Sequence, residues 1–307
     1  MTAPVFGGIE AGGTKVVCAV GTGPDDLRAE TVIPTAAPGD TLSAAVEFFR
    51  DYSRDRGLIA ALGIAAFGPL DLDPASPTWG CVTTTPKPGW AGADLAGPFR
   101  AALGVPVAVD TDVNGAALAE YRWGAGRGAD PFVYVTVGTG IGGGAVVHGR
   151  PLRGLVHPEM GHLRIPRDAA ADRFPGACPY HGDCLEGLAS GEAMRRRWGA
   201  PAEALPAAHP AWDLEARYLA LGLVAAIAVL SPRRIAVGGG VMRAAHLLPR
   251  VRREVIALLA GYVDSPALRE GAGGVEAYVV PPALGEGAGV LGAFALAADA
   301  LRARDVR

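Results

Sequence analysis

Val133-Tyr-Val-Thr-Val-Gly-Thr-Gly-Ile-Gly-Gly-Gly144 is the stretch from which the fold of this chain can be read. Its first five residues, Val133 to Val137, have the β-branched and aromatic content of a buried strand. Five of the next seven are glycine, with Thr139 among them. With no Cβ in the way, backbone N–H groups in such a turn can close on an anion. Gly138, Gly140 and Gly143 also fit G-x-G-x-x-G. A dinucleotide fold would continue into a helix there, however, and Ala145-Val-Val-His148 reads as a second strand. The spacing predicts a β-hairpin whose turn, Gly138-Thr139-Gly140, holds phosphate; an ordinary tight hairpin is the alternative on this stretch alone.

The same device recurs near the N-terminus. Val5 to Glu10 and Val16 to Val20 read as strands around Glu10-Ala-Gly-Gly-Thr-Lys15. Gly8-x4-Gly13-Thr14-Lys15 resembles a P-loop with Thr and Lys exchanged, but the helix whose N-terminus a P-loop needs is missing. A glycine hairpin formed by Gly12, Gly13, Thr14 and Lys15 fits better. Two such turns more than 120 residues apart are much harder to obtain by chance than one. A third segment, Gly238-Gly239-Gly240, follows a strand over Arg234 to Val237 and leads into a helix to about Leu259. A flat nucleotide can pass close to the backbone there.

Chemistry-bearing side chains gather at two further places. Asp110-Thr111-Asp112-Val113-Asn114 follows a strand over Val105 to Val109 and starts a helix to about Trp123. Capping explains one of these polar residues, but two carboxylates and an Asn exceed what a cap needs. The helix dipole would also keep a carboxylate there ionised, as a proton acceptor must be. The second place is His162 with Cys178, His181 and Cys184, four ligands suited to a tetrahedral structural Zn²⁺. The alternative is a solvated His and two buried thiols. Cys18 and Cys81 stand in strand-like contexts and read as core. Trp90, closing Pro86-Lys-Pro-Gly-Trp90, either covers a sugar face or packs on its own loop. Thr41 to Tyr52, Asp94 to Leu103 and about Gly287 to Arg304 read as helices, Leu58 to Ala66 as a buried strand, and Thr78 to Thr85 as extended.

Composition narrows the partners. A chain of 307 residues, half of it hydrophobic, can bury the cores of two ordinary domains. A net charge of −3 with no basic run argues against nucleic acid as the main partner. The longest apolar run, Tyr218 to Leu230, is too short to span a bilayer and suits a buried helix, so no membrane partner is expected. No secretory signal is visible at Met1-Thr-Ala-Pro-Val-Phe, so a cytoplasmic location is expected and a disulfide framework is not. Lysine occurs at Lys15 and Lys87 alone, which reads as a compositional bias without functional content.

Taken in order, these motifs resemble the ROK family (repressors, open reading frames, kinases) of actin-like sugar kinases. The resemblance rests on Gly8-Ile-Glu-Ala-Gly-Gly-Thr-Lys15, Asp110 to Asn114, Val137 to Gly144, Pro158-Glu-Met-Gly-His162, Cys178 to Cys184, Leu185-Glu-Gly-Leu-Ala-Ser-Gly191 and Val237-Gly-Gly-Gly-Val241. It covers nearly the whole chain. Cys-Pro-Tyr-His-Gly-Asp-Cys184, Glu10 and Thr84-Thr-Pro-Lys-Pro-Gly-Trp90 are similar to the fructokinase branch. The family pattern implies Asp112 as catalytic base and Glu159, His162 and Glu186 as holders of sugar hydroxyls, with Gly68 and Thr111 also beside the sugar. Thr111 departs from the Asn of many hexose kinases.

The implied fold is two α/β domains of actin-like, ribonuclease H-like topology with the active site in the cleft. The first domain is expected over residues 1–116, with the C-terminal helix 290–307 packing on it. The second is expected over 117–289, with the zinc loop at 157–190. The implied reaction is ATP-dependent phosphorylation of a hexose, foremost D-fructose at its 6-hydroxyl. The two hairpins and Mg²⁺ would hold the β- and γ-phosphates, and residues 238–240 would border the adenosine. A kinase of glucose, mannose or an amino sugar is the rival within the class, and a non-catalytic sugar-binding regulator the rival outside it. The family's repressors carry an N-terminal helix-turn-helix, for which a hairpin starting at residue 7 leaves no room. A homodimer is the assembly left open by the sequence.

Overall fold

The computed structural model describes residues 3–167, 169–170, 172–271 and 273–305. From the N-terminus the chain forms β1 (Phe6–Ala11), β2 (Lys15–Gly23), β3 (Asp26–Pro34), α1 (Pro38–Arg56), β4 (Ala61–Ala66), α2 (Gly97–Leu103), β5 (Val107–Thr111) and α3 (Asp112–Trp123). It continues through β6 (Phe132–Val137), β7 (Ile141–Val147), β8 (Arg150–Pro151), α4 (Leu185–Ala189), α5 (Gly191–Trp198) and α6 (Ala211–Leu230). It ends with β9 (Arg234–Gly238), α7 (Leu247–Leu259), α8 (Val275–Tyr278), β10 (Val279–Val280) and α9 (Ala288–Asp305). Two compact units result. The first comprises Met1–Gly124, Gly149–His157 and Leu284–Arg307, and the second Ala125–His148 and Pro158–Ala283.

In the first unit the sheet order is β3-β2-β1-β4-β5, with β1 and β2 an antiparallel hairpin and β1, β4 and β5 parallel. Both sheet faces are covered, as parallel strands require. Ile9, Cys18, Leu62, Ile64 and Val109 pack with Phe49 of α1 and Phe99 of α2. On the other face Phe6, Val17, Ala19 and Ala61 meet Val290, Phe294 and Ala297 of α9. That helix lies unusually close to the strands. A Cβ at Gly63 would fall 1.8 Å from the Ala293 carbonyl oxygen, and one at Gly292 would fall 2.3 Å from the Gly115 backbone of α3.

This packing corrects the expected boundary at residue 116. Ala116 is a buried residue inside α3, and the Glu120 carboxylate of that helix accepts from the Leu284 N–H at 2.8 Å. The first unit therefore keeps α3 whole, takes back residues 149–157 and resumes at Leu284.

In the second unit the strands run β10-β9-β6-β7, with β6 and β7 the expected hairpin and β9 parallel to β6. The apolar run Tyr218 to Leu230 lies in α6. Its Tyr218, Leu219, Leu223 and Ile227 are buried, whereas Val229 near the end is 82% exposed. Among the described residues no helix is long and apolar enough to cross a membrane.

Three local expectations need correction. Thr78 to Thr85 is not a strand but a turn region with isolated bridges, Leu70 to Val82 and Cys81 to Asp94. The helix after Gly240 is split: Val241–Arg243 is one 3₁₀ turn, closed by Met242 and Arg243 N–H bonds three residues back, and α7 begins only at Leu247. β3 had no counterpart in the sequence reading, because it is a largely exposed edge strand without a hydrophobic stripe.

Candidate active site

Register gathers the first unit's functional segments at one sheet edge. Ala11 pairs with Ala66 and Ala66 with Thr111, so β1, β4 and β5 end level. The turn at Gly12, the turn at Gly68 and Asp112 all follow immediately, at the carboxyl ends where parallel sheets present ligand sites.

The first glycine turn has its carbonyls engaged and two of its amides free, while the Gly12 N–H donates to the Lys15 carbonyl at 2.9 Å. The Thr35 hydroxyl donates to the Gly12 carbonyl at 2.9 Å, the Thr35 N–H to the Thr14 carbonyl at 3.0 Å, and the Lys87 ammonium to the Gly13 carbonyl. The Gly13 and Thr14 N–H groups have no hydrogen-bond partner among the described residues. A turn with bound carbonyls and open amides is built for an anion.

The two carboxylates after β5 have different roles. Asp110 is fully buried and fully committed. Its Oδ1 accepts from the Thr111 N–H and from Asn114 Nδ2, each at 2.8 Å, and its Oδ2 from Arg153 Nε at 3.0 Å and Nη2 at 2.6 Å. Thr111 Oγ1 caps α3 by accepting from the Asn114 N–H at 3.1 Å. That leaves Asp112, half-buried, with its Oδ1 on the adjacent Val113 N–H at 2.8 Å and no cationic side chain on it among the described residues. Burial outweighs these backbone bonds and pushes the Asp112 pKa up to about 6. The carboxylate is thus less acidic than an ordinary aspartate despite its place at the helix start. It is still mostly ionised at neutral pH, with a basicity suited to accepting a proton.

Glu10, to which the sequence reading gave no role, has its pKa raised, first by burial and then by the Asp112 carboxylate, against a lowering by Lys15. A carboxylate close enough to Asp112 to have its proton affinity raised by it offers, with Asp112, oxygen donors of the kind Mg²⁺ takes.

Gly68 is positioned by a residue the sequence reading passed over. His157, 5% exposed, accepts the Leu70 N–H on Nε2 at 3.2 Å, and a Cβ on Gly68 would lie 3.3 Å from that nitrogen. Trp90 resolves to the packing alternative. It is 1% exposed, donates its Nε1–H to the Ala36 carbonyl at 3.0 Å and stacks edge-on to Phe67 at 5.2 Å. It is not available to a sugar face.

In the second unit the same logic repeats. At the hairpin tip Gly138 N–H donates to the Gly140 carbonyl at 2.9 Å, while the Gly191 and Glu192 N–H groups of α5 hold the Gly138 and Thr139 carbonyls at 2.7 and 3.3 Å. The Thr139 and Gly140 amides have no partner among the described residues. Strand register places the third glycine segment beside this tip, since Thr136 pairs with Gly238. Gly239 has φ +97°, and a Cβ there would lie 2.4 Å from the Val137 carbonyl oxygen, so glycine is required on both counts.

Glu186 joins the hairpin to the Cys/His loop. Its Oε2 accepts the Ile141 N–H at 3.0 Å, and a Cβ on Gly140 would lie 2.5 Å from the same oxygen. Glu159, exposed, is one 3₁₀ turn (Met160–His162) away from His162, whose N–H donates to the Glu159 carbonyl at 2.9 Å.

The four proposed metal ligands converge. One ligand atom from each of His162, Cys178, His181 and Cys184 lies within 4.8 Å of all the others. His162 Nδ1 stands 3.7 Å from Cys178 Sγ and 3.5 Å from Cys184 Sγ, and His181 Nδ1 is 3.6 Å from Cys178 Sγ. Tetrahedral Zn²⁺ with ordinary bond lengths separates nitrogen and sulfur by about 3.6 Å. The loop is closed by reciprocal bonds between Cys178 and Gly182, at 3.2 and 3.0 Å, with Gly182 at φ +65°. Burial, partly offset by a bond from the Gly187 backbone and reinforced by the neighbouring Cys178, pushes the Cys184 thiol up to about 11. Two buried sulfurs facing two imidazoles in this geometry fit a zinc site.

Glycine turns at the carboxyl edges of two α/β units, one uncommitted aspartate and a Cys/His loop define a sugar kinase of actin-like fold. The chain belongs to the ROK family, whose profile matches residues 6–300. It is 48% identical over 303 residues to a fructokinase of Zymomonas mobilis subsp. mobilis, covering 96% of this chain and 97% of that relative. Among solved structures it is similar to the ROK hexokinase from Thermus thermophilus, with a TM-score of 0.77 and 29% identity over 98% of this chain and 99% of that one. A ROK family glucokinase from Streptomyces griseus, in complex with glucose and AMPPNP, aligns at a TM-score of 0.73 with 26% identity, over 96% and 99% of the two chains.

Proposed function

We infer that this protein is an ATP-dependent fructokinase that transfers the γ-phosphoryl group of ATP to the 6-hydroxyl of D-fructose. The observation that carries the reaction class is the contrast between Asp110, saturated by Arg153, Asn114 and Thr111, and Asp112, whose carboxylate meets only neighbouring backbone. The choice of fructose rests on the fructokinase relative at 48% identity, against 26% for the glucokinase neighbour. A coupled assay with Mg-ATP across fructose, glucose, mannose and amino sugars tests it. Fructose should give the highest kcat/KM, and a panel without turnover would leave a sugar-binding regulator instead.

Phosphoryl transfer asks the protein mainly for position and charge. Asp112 orients the hydroxyl and accepts its proton. The free amides of Gly13, Thr14, Thr139 and Gly140 meet phosphate oxygens, and Gly238 to Gly240 border the adenosine. Glu159, His162 and Glu186 face the sugar hydroxyls, with Gly68 beside them. Glu10 would help hold Mg²⁺, which would supply charge neutralisation at the phosphates. His162, Cys178, His181 and Cys184 would hold a structural zinc, four protein ligands leaving it no role in the chemistry.

Two outcomes follow. Because the base must be unprotonated, kcat/KM should fall as pH drops through about 6, with a slope approaching one, and stay level above it. A rate independent of pH between 5 and 7 would exclude Asp112 as the titrating base. Second, a Cβ at Gly138 meets nothing within 4 Å, so Gly138→Ala leaves the fold undisturbed and obstructs only a ligand. It should raise the KM for ATP roughly 10–100-fold, the cost of forcing a methyl into a filled contact, with the fructose KM little changed. Gly140 is the wrong site for this test, since a side chain there collides with Glu186.

A further inference from the structure

Two of the chain's 28 Lys and Arg residues are lysines, and the fold brings both to the first glycine turn. Lys15 follows Thr14 at the start of β2, and the Lys87 ammonium donates to the Gly13 carbonyl from 74 residues away. The scarcity of lysine therefore has a location, which composition alone did not reveal. Arginine provides every other basic side chain of these two types, yet both positions at this turn have a compact point charge. A guanidinium is a planar fork that needs matching oxygens in its plane, whereas an ammonium fits a confined spot beside a phosphate turn.

Lys87 is delivered there by a rigid loop. Pro86 and Pro88 flank it, its N–H donates to Thr85 Oγ1 at 3.2 Å, and Gly89 turns the chain at φ +78°. The loop is anchored by the buried Trp90, bound to the Ala36 carbonyl. Among the described residues the ammonium is set against the Gly13 carbonyl and, at 5.8 Å, the Phe67 ring face, not against a carboxylate. The neighbouring Gly13 and Thr14 amides are open. A half-buried cation with no anion of its own, on the lip of an anion-binding turn, is an incomplete arrangement that a phosphate completes.

We propose that Lys87 is a catalytic cation of the phosphate site, contacting the terminal phosphate of bound ATP and the γ-phosphoryl group during its transfer. This rests on the fructokinase reading above. In that step the bond from the γ-phosphorus to the β–γ bridging oxygen breaks and a bond to the sugar hydroxyl oxygen forms. The hydroxyl proton passes to Asp112, and ADP leaves with the bridging electron pair. Lys87 keeps its protons throughout and acts by charge.

The test compares Lys87→Met, which removes charge and hydrogen bond, with Lys87→Gln, which keeps a donor for the Gly13 carbonyl but no charge. Both should lower kcat/KM for ATP about 10²–10³-fold, the size of one lost transition-state donor, with the fructose KM little changed. A non-hydrolysable ATP analogue and ADP are then titrated into each protein with Mg²⁺. The preference for the analogue over ADP should fall about tenfold in both variants, the effect of one charged hydrogen bond to the terminal phosphate. If Lys87→Gln restored the rate, Lys87 would be a clamp on the Gly13 carbonyl and the proposal would be overturned. An unchanged analogue-to-ADP preference in both variants would overturn it too. A wild-type protein that phosphorylates no hexose would refute the parent reading alone, and the nucleotide titrations would still decide the role of Lys87.

Discussion

Asp112→Asn is expected to lower kcat by about 10²–10⁴-fold, the usual cost of losing a general base, while both KM values change little and the protein melts no earlier than wild type. The stability half of this expectation follows from the raised pKa. Burial lifts Asp112 from its ordinary value to about 6, so the folded state binds that proton more tightly than the unfolded chain does. The stability contributed by the protonated form is fully present below about pH 4 and is lost as pH rises through about 6. At neutral pH the ionised Asp112 is therefore a burden on the fold, and an uncharged Asn of the same shape relieves it.

Asp110→Asn should behave in the opposite way. It leaves the Arg153 guanidinium without its carboxylate, and because that side chain is 36% exposed the cost should fall below the roughly 3–5 kcal/mol of breaking a fully buried pair. That variant should lose melting temperature first and activity in proportion. Thermal melts and steady-state rates on both proteins check the contrast. A near-normal kcat for Asp112→Asn, or a stable and inactive Asp110→Asn, would reverse the assignment. The residual activity of Asp112→Asn should also lack the acid limb near pH 6.

Much of this site could be read from the chain because its parts are local. A glycine turn, a strand-to-helix junction and a Cys-x₂-His-x₂-Cys loop each bring their groups together within a few residues, so spacing reports geometry. Asp112 is an instance: sequence placed it at a helix start, and α3 begins there. Residue spacing alone did not separate Asp112 from Asp110, a choice that came from the family resemblance, because the difference is made by Arg153, 43 residues further on. The same limit hid His157, which reaches Leu70 from 87 residues away, and Lys87 at Gly13. Such contacts depend on how β1, β4 and β5 end level, a matter of register that no single segment contains. The raised pKa of Asp112 was not legible for a related reason. The helix dipole is a local quantity and could be anticipated, whereas the burial that outweighs it is a property of the packed unit. The domain boundary at 116 failed because α3 is held by α9, a partner about 170 residues later, as in the Arg122–Asp299 pair at 2.6 Å with its separation of 177.

Cys178→Ala should release zinc and weaken sugar binding together. Metal content is expected to fall from about one per chain, the four-ligand expectation, and the melting temperature should fall with it, since metal bound only by the folded state stabilises that state. The effect on sugar follows from the connections around the loop. Cys184 directly precedes α4, whose second residue is Glu186, and the Leu185 N–H donates to the Leu163 carbonyl at 2.9 Å, beside His162. His162 in turn closes the 3₁₀ turn that starts at Glu159. A zinc held there would thus fix both proposed sugar carboxylates through their neighbours, the way a supporting shell holds contact residues. Cys178 itself supplies a ligand and faces no sugar group in this scheme, so its loss tests the support alone. The ATP KM should move less, though not by zero, because Glu186 also accepts the Ile141 N–H at the end of the phosphate hairpin. Metal analysis, melting and both KM values on one preparation decide the matter. Zinc lost with an unchanged fructose KM would separate the metal from the sugar site, and a wild-type protein purified without chelators and free of zinc would remove the metal from the account.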